Sequence, residues 1–513
     1  MHFIALFALA VQVPASTPAL TPRDSAFHAL NRLAYGARPG EADSIARFGV
    51  MRWIERQLDP GHIDDSHLAE REREFKILDY NRADLAERFR DVQRERQRLQ
   101  RDMRDSFPLS DRRGGQGVRS APMHEFRELG GELQQLAIVR AAISERQLRE
   151  VMVDVWTNHF NVFIGKGADR FLLPSYIEET IRPNALGRFE DLLIATAQSP
   201  AMMFYLDNAQ SVAPGSEPPF RRAGLDPRRM PSGINENYAR ELLELHTLGV
   251  DGGYTQQDVI NVARIFTGWS IERPERGAGF VFRDWAHDRG DKQVLGYTFK
   301  SAGQNEGLRL LRFLAQRPGT MHHVSAKLCA RFVADEPPDG CIDAAVAAWQ
   351  RTRGDIRAVL RAIFTSPDFW SARAVRTKVK TPFEFVVSAV RAAGVEPDNT
   401  PQLAQLVARL GEPLYQQPAP TGYAETEAHW VNSGALLARM NAAVMIAREC
   451  TSIAPADSHA QLVDEINQRL LGGSMSTHTR DVILEQLADI NDPTQARDLA
   501  LGLALGGPDF QRQ

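Results

Sequence analysis

The chain has 513 residues and a formal net charge of −4, from 61 Lys and Arg against 65 Asp and Glu. Hydrophobic residues make up 43% of it and charged residues 25%, with 37 Gly and 29 Pro. These values exclude collagen-like, disordered and disulfide-scaffold proteins. The balanced charge gives no reason to expect nucleic acid as a partner. We therefore expect a soluble globular protein with a sizeable core.

The N-terminal residues predict export. Residues 1–15 contain an apolar stretch followed by small residues of the kind that precede a signal-peptidase site, although only His2 stands where basic residues are usual. We expect a signal peptide over residues 1–19 and a periplasmic or extracellular location. No later run reaches the roughly 18 apolar residues that span a bilayer, so we expect no membrane span after signal removal.

A charged stretch over residues 63–120 follows an N-terminal helical segment predicted for residues 20–62. Between Leu68 and Met103 the apolar residues fall mainly on two positions of a seven-residue repeat, and charged residues occupy the other faces. We expect one long charged helix followed by a linker. It is predicted to pack against the helix at 125–143 as a hairpin, and a protruding arm that binds a partner is the alternative.

Helical periodicity dominates residues 121–513, the predicted main body. Helices are expected at 147–163, 181–197, 235–248, 256–269, 308–315, 323–334, 342–353, 356–365, 383–393 and 435–449. At about 280–300, alternating apolar and polar residues flank a turn rich in Gly and Asp, which predicts a small irregular β insert. The predicted fold is mainly α: a multi-helix, bundle-like body with a long charged helical hairpin and this insert.

Two residue pairs have structural explanations. Cys329 and Cys341 flank a turn, so one disulfide between them fits an exported chain, while two buried thiols fit equally well. Thr255 and Asp258 have the spacing of a capping box at the start of a helix. With three cysteines in all, a disulfide framework or a thiolate zinc site is excluded.

The densest polar run lies at residues 235–249. On a helix, Glu236, Arg240 and Glu244 share one face and Glu241 lies beside them, so carboxylates converge around one guanidinium. A buried cluster of this kind supplies a general acid and base, whereas a structural one is an ion-pair ladder. We expect the helix that holds Glu241 and Glu244 to be buried and its carboxylates to be paired with Arg240 or with basic groups from neighbouring helices.

Further candidates lie at a helix end over residues 154–163, where polar side chains alternate with aromatics, and on the β insert. The predicted catalytic residues are Glu241, Glu244, His246 and His159. The predicted substrate-binding residues are Asn158, Asn161, Asn235, Asn237, Arg240, His287, Asp288 and Lys292. No HExxH, GxSxG or Walker A motif is present, nor a GxGxxG in strand-to-helix context, so the cofactor is unassigned, with a divalent metal as a candidate.

Several segments carry a resemblance to a known family. They are HALNRLAYG at 28–36, Trp53-Ile54, WTNHF at 156–160, NENYARELLELHTLGVDGGYT at 235–255, RIFTGW at 264–269, His287-Asp288 with Lys292, Leu295-Gly296, and KTPFE at 380–384. Together they resemble the bacterial family of exported proteins called domain of unknown function 1800, over nearly the whole mature chain. The resemblance implies a largely helical exported protein, often encoded beside a second exported protein, which is the candidate partner. It implies no reaction.

Two functions fit these features. The first is an extracytoplasmic hydrolase or metal-assisted enzyme acting on a polymer or glycan. The second is a non-enzymatic binding or assembly factor for an exported partner protein. The enzyme requires the imidazoles of His159, His246 and His287 and the carboxylate of Glu241 or Glu244 to lie within about 8 Å of one point. If they scatter, the binding or assembly function is favoured.

Overall fold

The computed structural model describes residues 20–106, 121–217, 233–273, 276–450 and 452–513. The predicted signal peptide and the linker after the charged helix lie outside these ranges. Within them the chain is mainly helical. Its α-helices are α1 Pro22–Leu33, α2 Glu41–Phe48, α3 Val50–Leu58, α4 Ser66–Glu72, α5 Arg82–Ser106, α6 Ala121–Ile143, α7 Gln147–His159, α8 Asp169–Ser175, α9 Arg182–Asn184, α10 Phe189–Gln198, α11 Pro200–Tyr205, α12 Asn237–Glu241, α13 Gln256–Ile265, α14 Gln304–Ala315, α15 Pro318–Phe332, α16 Asp339–Thr352, α17 Ile356–Phe364, α18 Pro382–Ala393, α19 Gln402–Arg409, α20 Glu427–Trp430, α21 Ser433–Arg448, α22 His459–Leu470, α23 Thr477–Leu487, α24 Pro493–Gly506 and α25 Pro508–Gln511.

The predicted mainly α fold is confirmed, and one apolar core runs through it from α1 to α25. Helices α7 and α18 lie deepest: most residues of α7 and every residue of α18 are buried. The described helices include none that is long and apolar enough to cross a membrane. Because α7 and α18 are buried, their polar side chains lie in the interior, where each needs a hydrogen-bond or ion-pair partner.

The charged stretch forms two α-helices, α4 and α5, where one long helix was predicted. A 3₁₀ turn at Lys76–Asp79 separates them, and Phe75 and Ile77 turn into the core there. The Asn81 side chain accepts a hydrogen bond from Asp84 N at 3.1 Å, which caps α5 and fixes its start. As expected for a hairpin, α5 contacts α6.

The β insert consists of two small antiparallel sheets and starts earlier than predicted, at Trp269. The turn between the last two strands passes through Leu295 and Gly296, whose φ values of 50° and 78° are those of a two-residue hairpin turn. The first strand pairs with the second and the third with the fourth. The strands are β1 Trp269–Ile271, β2 Phe280–Phe282, β3 Lys292–Val294 and β4 Tyr297–Phe299.

The structure contains one of the two alternatives left open for the cysteines, together with the predicted capping box. Cys329 on α15 and Cys341 on α16 form a disulfide, with their Cα atoms 6.2 Å apart. Thr255 and Asp258 form the predicted capping box at the start of α13. The chain also contains π-helical turns, one of which, Leu242–Thr247, continues α12. Turns of this kind are frequent at functional sites.

Candidate functional site

The structure brings two of the predicted catalytic residues, His159 and His246, together; we call them the histidine pair. Their ring centroids are 6.1 Å apart, and His159 Nε2 lies 3.3 Å from the His246 carbonyl oxygen. Lys327 Nζ lies 3.4 Å from His159 Nδ1. Burial, reinforced by the Lys327 charge, lowers the pKa of His246 to about 3 and holds that of His159 well below its ordinary value. Both imidazoles are therefore neutral.

The histidine pair has a third ring nearby, because His323 lies 6.5 Å from His159 between ring centroids. The part of the chain that the structure describes nevertheless contains no group of three or more His, Cys, Asp or Glu side chains arranged to hold a metal ion. Among the described residues, the pair therefore has a lysine and aromatic rings beside it but no carboxylate that would complete a metal-binding group.

The carboxylates of Glu241 and Glu244 lie on the half-exposed side of α12 and its π-helical continuation. The Arg240 side chain is 42% exposed, and its Nη2 atom is 3.3 Å from Glu236 Oε2 and 3.0 Å from Gln256 Oε1. Contrary to expectation, Arg240 does not form a buried cluster with the other two carboxylates. The reason is amphipathicity: Leu242, Leu243 and His246 occupy the core-facing side of this helix.

His287, Asp288 and Lys292 belong to a separate, largely buried network. Lys292 Nζ lies 2.7 Å from Glu306 Oε2, with both side chains fully buried, and His287 Nε2 is 3.5 Å from the same oxygen. Asp288 accepts two hydrogen bonds from the Arg264 guanidinium, at 2.8 and 3.1 Å. This network ties the β insert to α13 and α14. The predicted convergence of three histidines therefore does not occur, since His287 lies in this network and not with the histidine pair.

The side chains of the predicted asparagines Asn158, Asn161 and Asn235 form hydrogen bonds with backbone groups. The Asn158 side chain donates to Tyr423 O at 2.9 Å and accepts from Tyr423 N at 2.7 Å. Asn161 donates to two carbonyls of the same loop, which follows α19. Asn235 accepts from Asn237 N at 2.9 Å and fixes the start of α12. Asn158 and Asn161 thus attach the loop to α7, while Asn235 and Asn237 lie apart from it.

A cavity lies between α7, α15, the start of α18 and that loop; we call it the carboxylate cavity. Water molecules can be centred in about 50 Å³ of it, and the figure is about 690 Å³ when all empty space out to the solvent opening is counted. Asn158 and Asn161 line it together with Tyr415 and Tyr423. Its charged residues are Asp154, Glu384, Glu412, Glu425, Arg331 and Lys378.

Glu384 is held ionised at the start of α18. Its Oε1 atom is 2.5 Å from Arg331 Nη2, and Oε2 accepts from Thr381 N at 2.9 Å and from Gln513 Nε2 at 3.0 Å. Burial alone would raise the pKa of Glu384, but Arg331 and these hydrogen bonds outweigh it and the pKa is lowered. Arg331 Nη1 is buried and has no hydrogen-bond partner among the described residues. It is a donor available to a ligand.

The pKa values of Glu412 and Asp154 are raised, in contrast to that of Glu384. Burial raises the pKa of Glu412 to about 8, with the charge of Asp154 adding to it and a 2.8 Å hydrogen bond from Phe383 N opposing it. Burial raises the pKa of Asp154 to about 7 against the effect of Arg331. Near neutral pH the cavity therefore contains a protonated carboxyl, a partly ionised carboxyl and a fixed carboxylate. Environments that separate pKa values in this way are characteristic of acid–base sites.

Sequence reasoning assigned no role to the four central residues of this cavity, Asp154, Arg331, Glu384 and Glu412. They come from segments far apart in the chain, so no single motif contains them all: Asp154 begins the segment 154–163 and Glu384 ends KTPFE at 380–384. One signal was present: Glu150, Asp154 and Asn158 recur every four residues along α7, whose other residues are mostly apolar and buried. A polar stripe on an otherwise apolar helix indicates interior polar partners.

Neither the curated proteins nor the solved structures include a significant match to this chain. A family model described as "Protein of unknown function (DUF1800)" matches residues 28–512. The matched span includes the histidine pair, the buried network of the β insert and all the charged residues of the carboxylate cavity. The chain therefore belongs to the DUF1800 family of proteins of unknown function.

Proposed function

We propose that this chain is an extracytoplasmic hydrolase that cleaves glycosidic bonds of a glycan polymer in the carboxylate cavity. The observation that carries the proposal is the pair of interior carboxyls, Asp154 and Glu412, whose surroundings give them pKa values of about 7 and about 8. Glycoside hydrolysis uses two such groups, one protonated and one ionised. Because His287 lies apart from the histidine pair, the histidine-based enzyme expected from the sequence is given up, and that outcome counts in favour of the binding or assembly function. The hydrolase proposal rests on these carboxyls alone.

Glu412 is the proposed general acid and Asp154 the general base. Glu412 gives its proton to the glycosidic oxygen as the bond to the sugar breaks, and Asp154 takes a proton from the attacking water. The products are the two sugar fragments with one water added across the bond. Transfer of one proton from Asp154 to Glu412 through solvent restores the starting state. Arg331 Nη1, which is buried and unpartnered among the described residues, donates a hydrogen bond to a substrate oxygen.

Hydrolysis of a panel of p-nitrophenyl glycosides and soluble oligosaccharides tests this proposal. Wild-type activity should rise as Asp154 ionises near pH 7 and fall as Glu412 loses its proton above about pH 8. Asp154→Asn and Glu412→Gln should each lower kcat by about 100-fold or more while the protein stays folded. Glu241→Gln is the matched control and should keep wild-type activity.

The same assay separates the metal-assisted form of the hydrolase from the form proposed. Because the proposed steps use only carboxyl groups and water, a chelator should leave the rate unchanged. A rate that depends on an added divalent ion would favour the metal-assisted form. The proposal would be contradicted if wild type hydrolysed no member of the panel, or if wild type and the two cavity variants hydrolysed it at equal rates.

We also propose that the protein works in the periplasm or outside the cell. Support comes from the Cys329–Cys341 disulfide, a bond typical of oxidising compartments, and from the apolar stretch in residues 1–15. Protein expressed with its native start should be recovered from the periplasm, processed near Ala15. Cytoplasmic material with Met1 intact would argue against export.

A binding or assembly factor is the second candidate function, and exposed side chains on one helix favour it. Four large apolar side chains of α21 and the segment before it are exposed: Val431 by 38%, Leu436 by 42%, Leu437 by 65% and Met445 by 53%. Large apolar side chains left exposed on a helix are candidates for contact with another protein. The proposed partner is a second exported protein encoded nearby. Leu437→Ser should abolish its co-purification without lowering thermal stability, and unchanged co-purification would remove this candidate.

A further inference from the structure

A cleft with more room than the carboxylate cavity lies between α5, α8, α11 and β1; we call it the apolar cleft. Water molecules can be centred in about 310 Å³ of it, against about 50 Å³ in the carboxylate cavity. Pockets that bind small organic molecules begin at about 300 Å³. None of the described residues that line the carboxylate cavity lines this cleft. It is therefore a separate site with room for an organic ligand.

The walls of the apolar cleft are mainly apolar side chains that the fold leaves incompletely covered. Phe89 of α5, Phe204 of α11 and Ile271 of β1 line it, and each is only half-buried. Phe89 also packs against Phe171 of α8, with ring centroids 4.5 Å apart, so its position is fixed. An apolar ligand in the cleft would cover these side chains, and burial of apolar surface favours binding.

Hydrogen bonds between the walls hold the cleft in shape. Ser270 Oγ donates to Ala209 O at 2.9 Å, which fastens β1 to the turn that follows α11. Arg82 Nε donates to Gly277 O at 3.1 Å, which fastens α5 to the loop between β1 and β2. The space is therefore preformed, and a preformed site reduces the cost of ordering side chains and loops when a ligand binds.

The cleft also has a guanidinium without a carboxylate partner. Arg283 lines it and is half-buried, and its Nη2 atom donates to Ile271 O at 2.9 Å. In the part of the chain that the structure describes, no carboxylate forms an ion pair with Arg283. Burial lowers the pKa of Arg283, and the nearby charge of Arg273 lowers it further. A half-buried cation beside a second cation is stabilised when an anion binds.

Two acidic side chains line the cleft as well, and they do not cancel this positive charge. Asp207 is already paired with Lys166, whose Nζ atom lies 2.8 Å from Asp207 Oδ1. Glu272 remains, and it faces the charges of two arginines, Arg273 and Arg283. An anionic head group is therefore favoured over a cationic one.

We propose that the apolar cleft binds a fatty acid, with its alkyl chain against Phe89, Phe204 and Ile271 and its carboxylate hydrogen-bonded to Arg283. At the roughly 30 Å³ that one water occupies in the liquid, the interior space holds a chain of about ten carbons. The site is independent of the proposed hydrolysis, which takes place in the other cavity.

Calorimetric titration of the whole protein with ten-carbon ligands tests the head group. Decanoate, decanol and decyltrimethylammonium have the same chain and differ in charge, and each is kept below its micelle-forming concentration. Decanoate should bind about 10-fold or more tightly than either of the others, because its bond to the guanidinium is charge-assisted. Hexanoate should bind about 10-fold or more weakly than decanoate, since it buries four fewer methylenes.

Variants of the cleft locate the ligand. Arg283→Met should weaken decanoate binding to the level of decanol and leave decanol binding unchanged, while Arg283→Lys should keep most of the preference for decanoate. Arg309→Met is the matched control, because Arg309 Nη2 also donates to a backbone carbonyl, at 2.6 Å, but does not line the cleft; it should bind as wild type does. Ala209→Trp fills the cleft and should weaken both ligands about 10-fold or more.

Thermal melting provides a second measurement. Saturating decanoate should raise the melting temperature of wild type and leave that of Ala209→Trp unchanged. The comparison of head groups in wild type does not depend on how well any variant folds. Equal affinities for decanoate and decanol, equal decanoate binding in wild type and Arg283→Met, or no decanoate binding at all would overturn the assignment. Undiminished binding in Ala209→Trp would place the ligand outside the cleft and would overturn it as well.

Discussion

Arg240 and Arg331 show how burial determines how strongly a guanidinium stabilises the ionised form of its carboxylate partner. Arg240 is 42% exposed and pairs with Glu236, which is half-buried. The Arg331 side chain is only 6% exposed and pairs with Glu384, which is equally buried. An exposed pair loses most of its attraction to solvent screening, whereas a buried carboxylate depends on its partner to stay ionised. Only the second pair can determine the protonation of a site.

Replacing each arginine measures this difference. Arg240→Ala should lower the free energy of unfolding by less than about 1 kcal/mol. Arg331→Leu should lower it by about 3 to 5 kcal/mol, because Glu384 is left buried without its guanidinium. Urea denaturation of the two variants beside wild type provides the measurement. Comparable losses would show that Arg240 is more deeply involved in the fold than its exposure indicates.

Single residues were predictable from the sequence where their partners are local. Thr255 and Asp258 are three residues apart, so the spacing alone predicted their capping box, and the structure contains it. Asp154 was not predictable in this way, because its surroundings depend on Arg331 and Glu412, which are distant in sequence. Local spacing identifies caps and turns, but an interior acid–base pair exists only after distant segments have packed.

The position of the β insert depends on a buried ion pair. Lys292 on β3 and Glu306 on α14 form a fully buried ion pair, to which His287 adds an imidazole. Removing two charges from water is costly, and their attraction offsets that cost only when the pair is intact. The three residues thus attach the insert to α14. The sequence identified His287 and Lys292 as candidate substrate-binding residues but could not show which helix they contact.

We expect Lys292→Met to lower the free energy of unfolding by about 3 to 5 kcal/mol, since it leaves the Glu306 carboxylate unpaired in the core. The double variant Lys292→Met with Glu306→Leu should recover much of the loss, because no buried charge remains. Lys300→Met is the control, as Lys300 forms an exposed pair with Asp291. Chemical denaturation measures all three. A double variant less stable than Lys292→Met would contradict the ion-pair explanation.

The disulfide between α15 and α16 joins residues 12 apart, and its Cys329 end lies on α15, the helix that carries Arg331. A cross-link of this span stabilises a protein by about 3 kcal/mol in the chain-entropy description. Cys329→Ser with Cys341→Ser should therefore unfold at lower urea concentration than wild type. In wild type, alkylation after unfolding should label only Cys450 until reductant is added. Labelling of all three cysteines without reductant would show that the bond does not form.

The mainly α architecture of the whole molecule followed from helical periodicity, because in each amphipathic helix the spacing of the apolar residues marks the side that faces the core. The single long helix predicted between Leu68 and Met103 did not follow. The seven-residue repeat continues through Phe75 and Leu78, but the chain turns at Lys76–Asp79 with Phe75 and Ile77 buried in the core, and Asn81 restarts the helix. Burial in the tertiary structure thus overrides a periodicity that is correct on each side of the break.

Interior carboxyls give the whole molecule an unusual dependence of stability on pH. Burial raises the pKa of Asp154 to about 7, of Glu412 to about 8 and of Asp169 to about 9. The unfolded chain releases these protons near pH 4, so above that pH the folded state binds more protons than the unfolded one. Their contribution to stability is fully present below about pH 4 and is lost as pH rises through the raised values.

Buried bases act in the opposite direction at lower pH. Burial lowers the pKa of His28 and of His246 to about 3, so the unfolded chain takes up their protons below about pH 6.5 while the folded chain does not. Their effect therefore removes stability as pH falls from 6.5 towards 3. Lys380, whose pKa burial lowers to about 7, partly offsets the carboxyls above pH 7.

Three buried imidazoles, those of His28, His159 and His246, oppose the three carboxyls below pH 6.5 and no longer do so above it, so stability should change little between pH 5 and 6.5 and fall at higher pH. The free energy of unfolding should then fall by about 1 to 3 kcal/mol between pH 6.5 and 8. Urea denaturation at half-unit steps from pH 5 to 9 measures the profile. Asp154→Asn and Glu412→Gln should each flatten it and should be more stable than wild type at pH 8, because an amide has no proton to lose. A stability that rises steadily to pH 8, or a slope unchanged in both variants, would show that these two carboxyls are ionised in the folded protein and would remove Glu412 as the proposed acid.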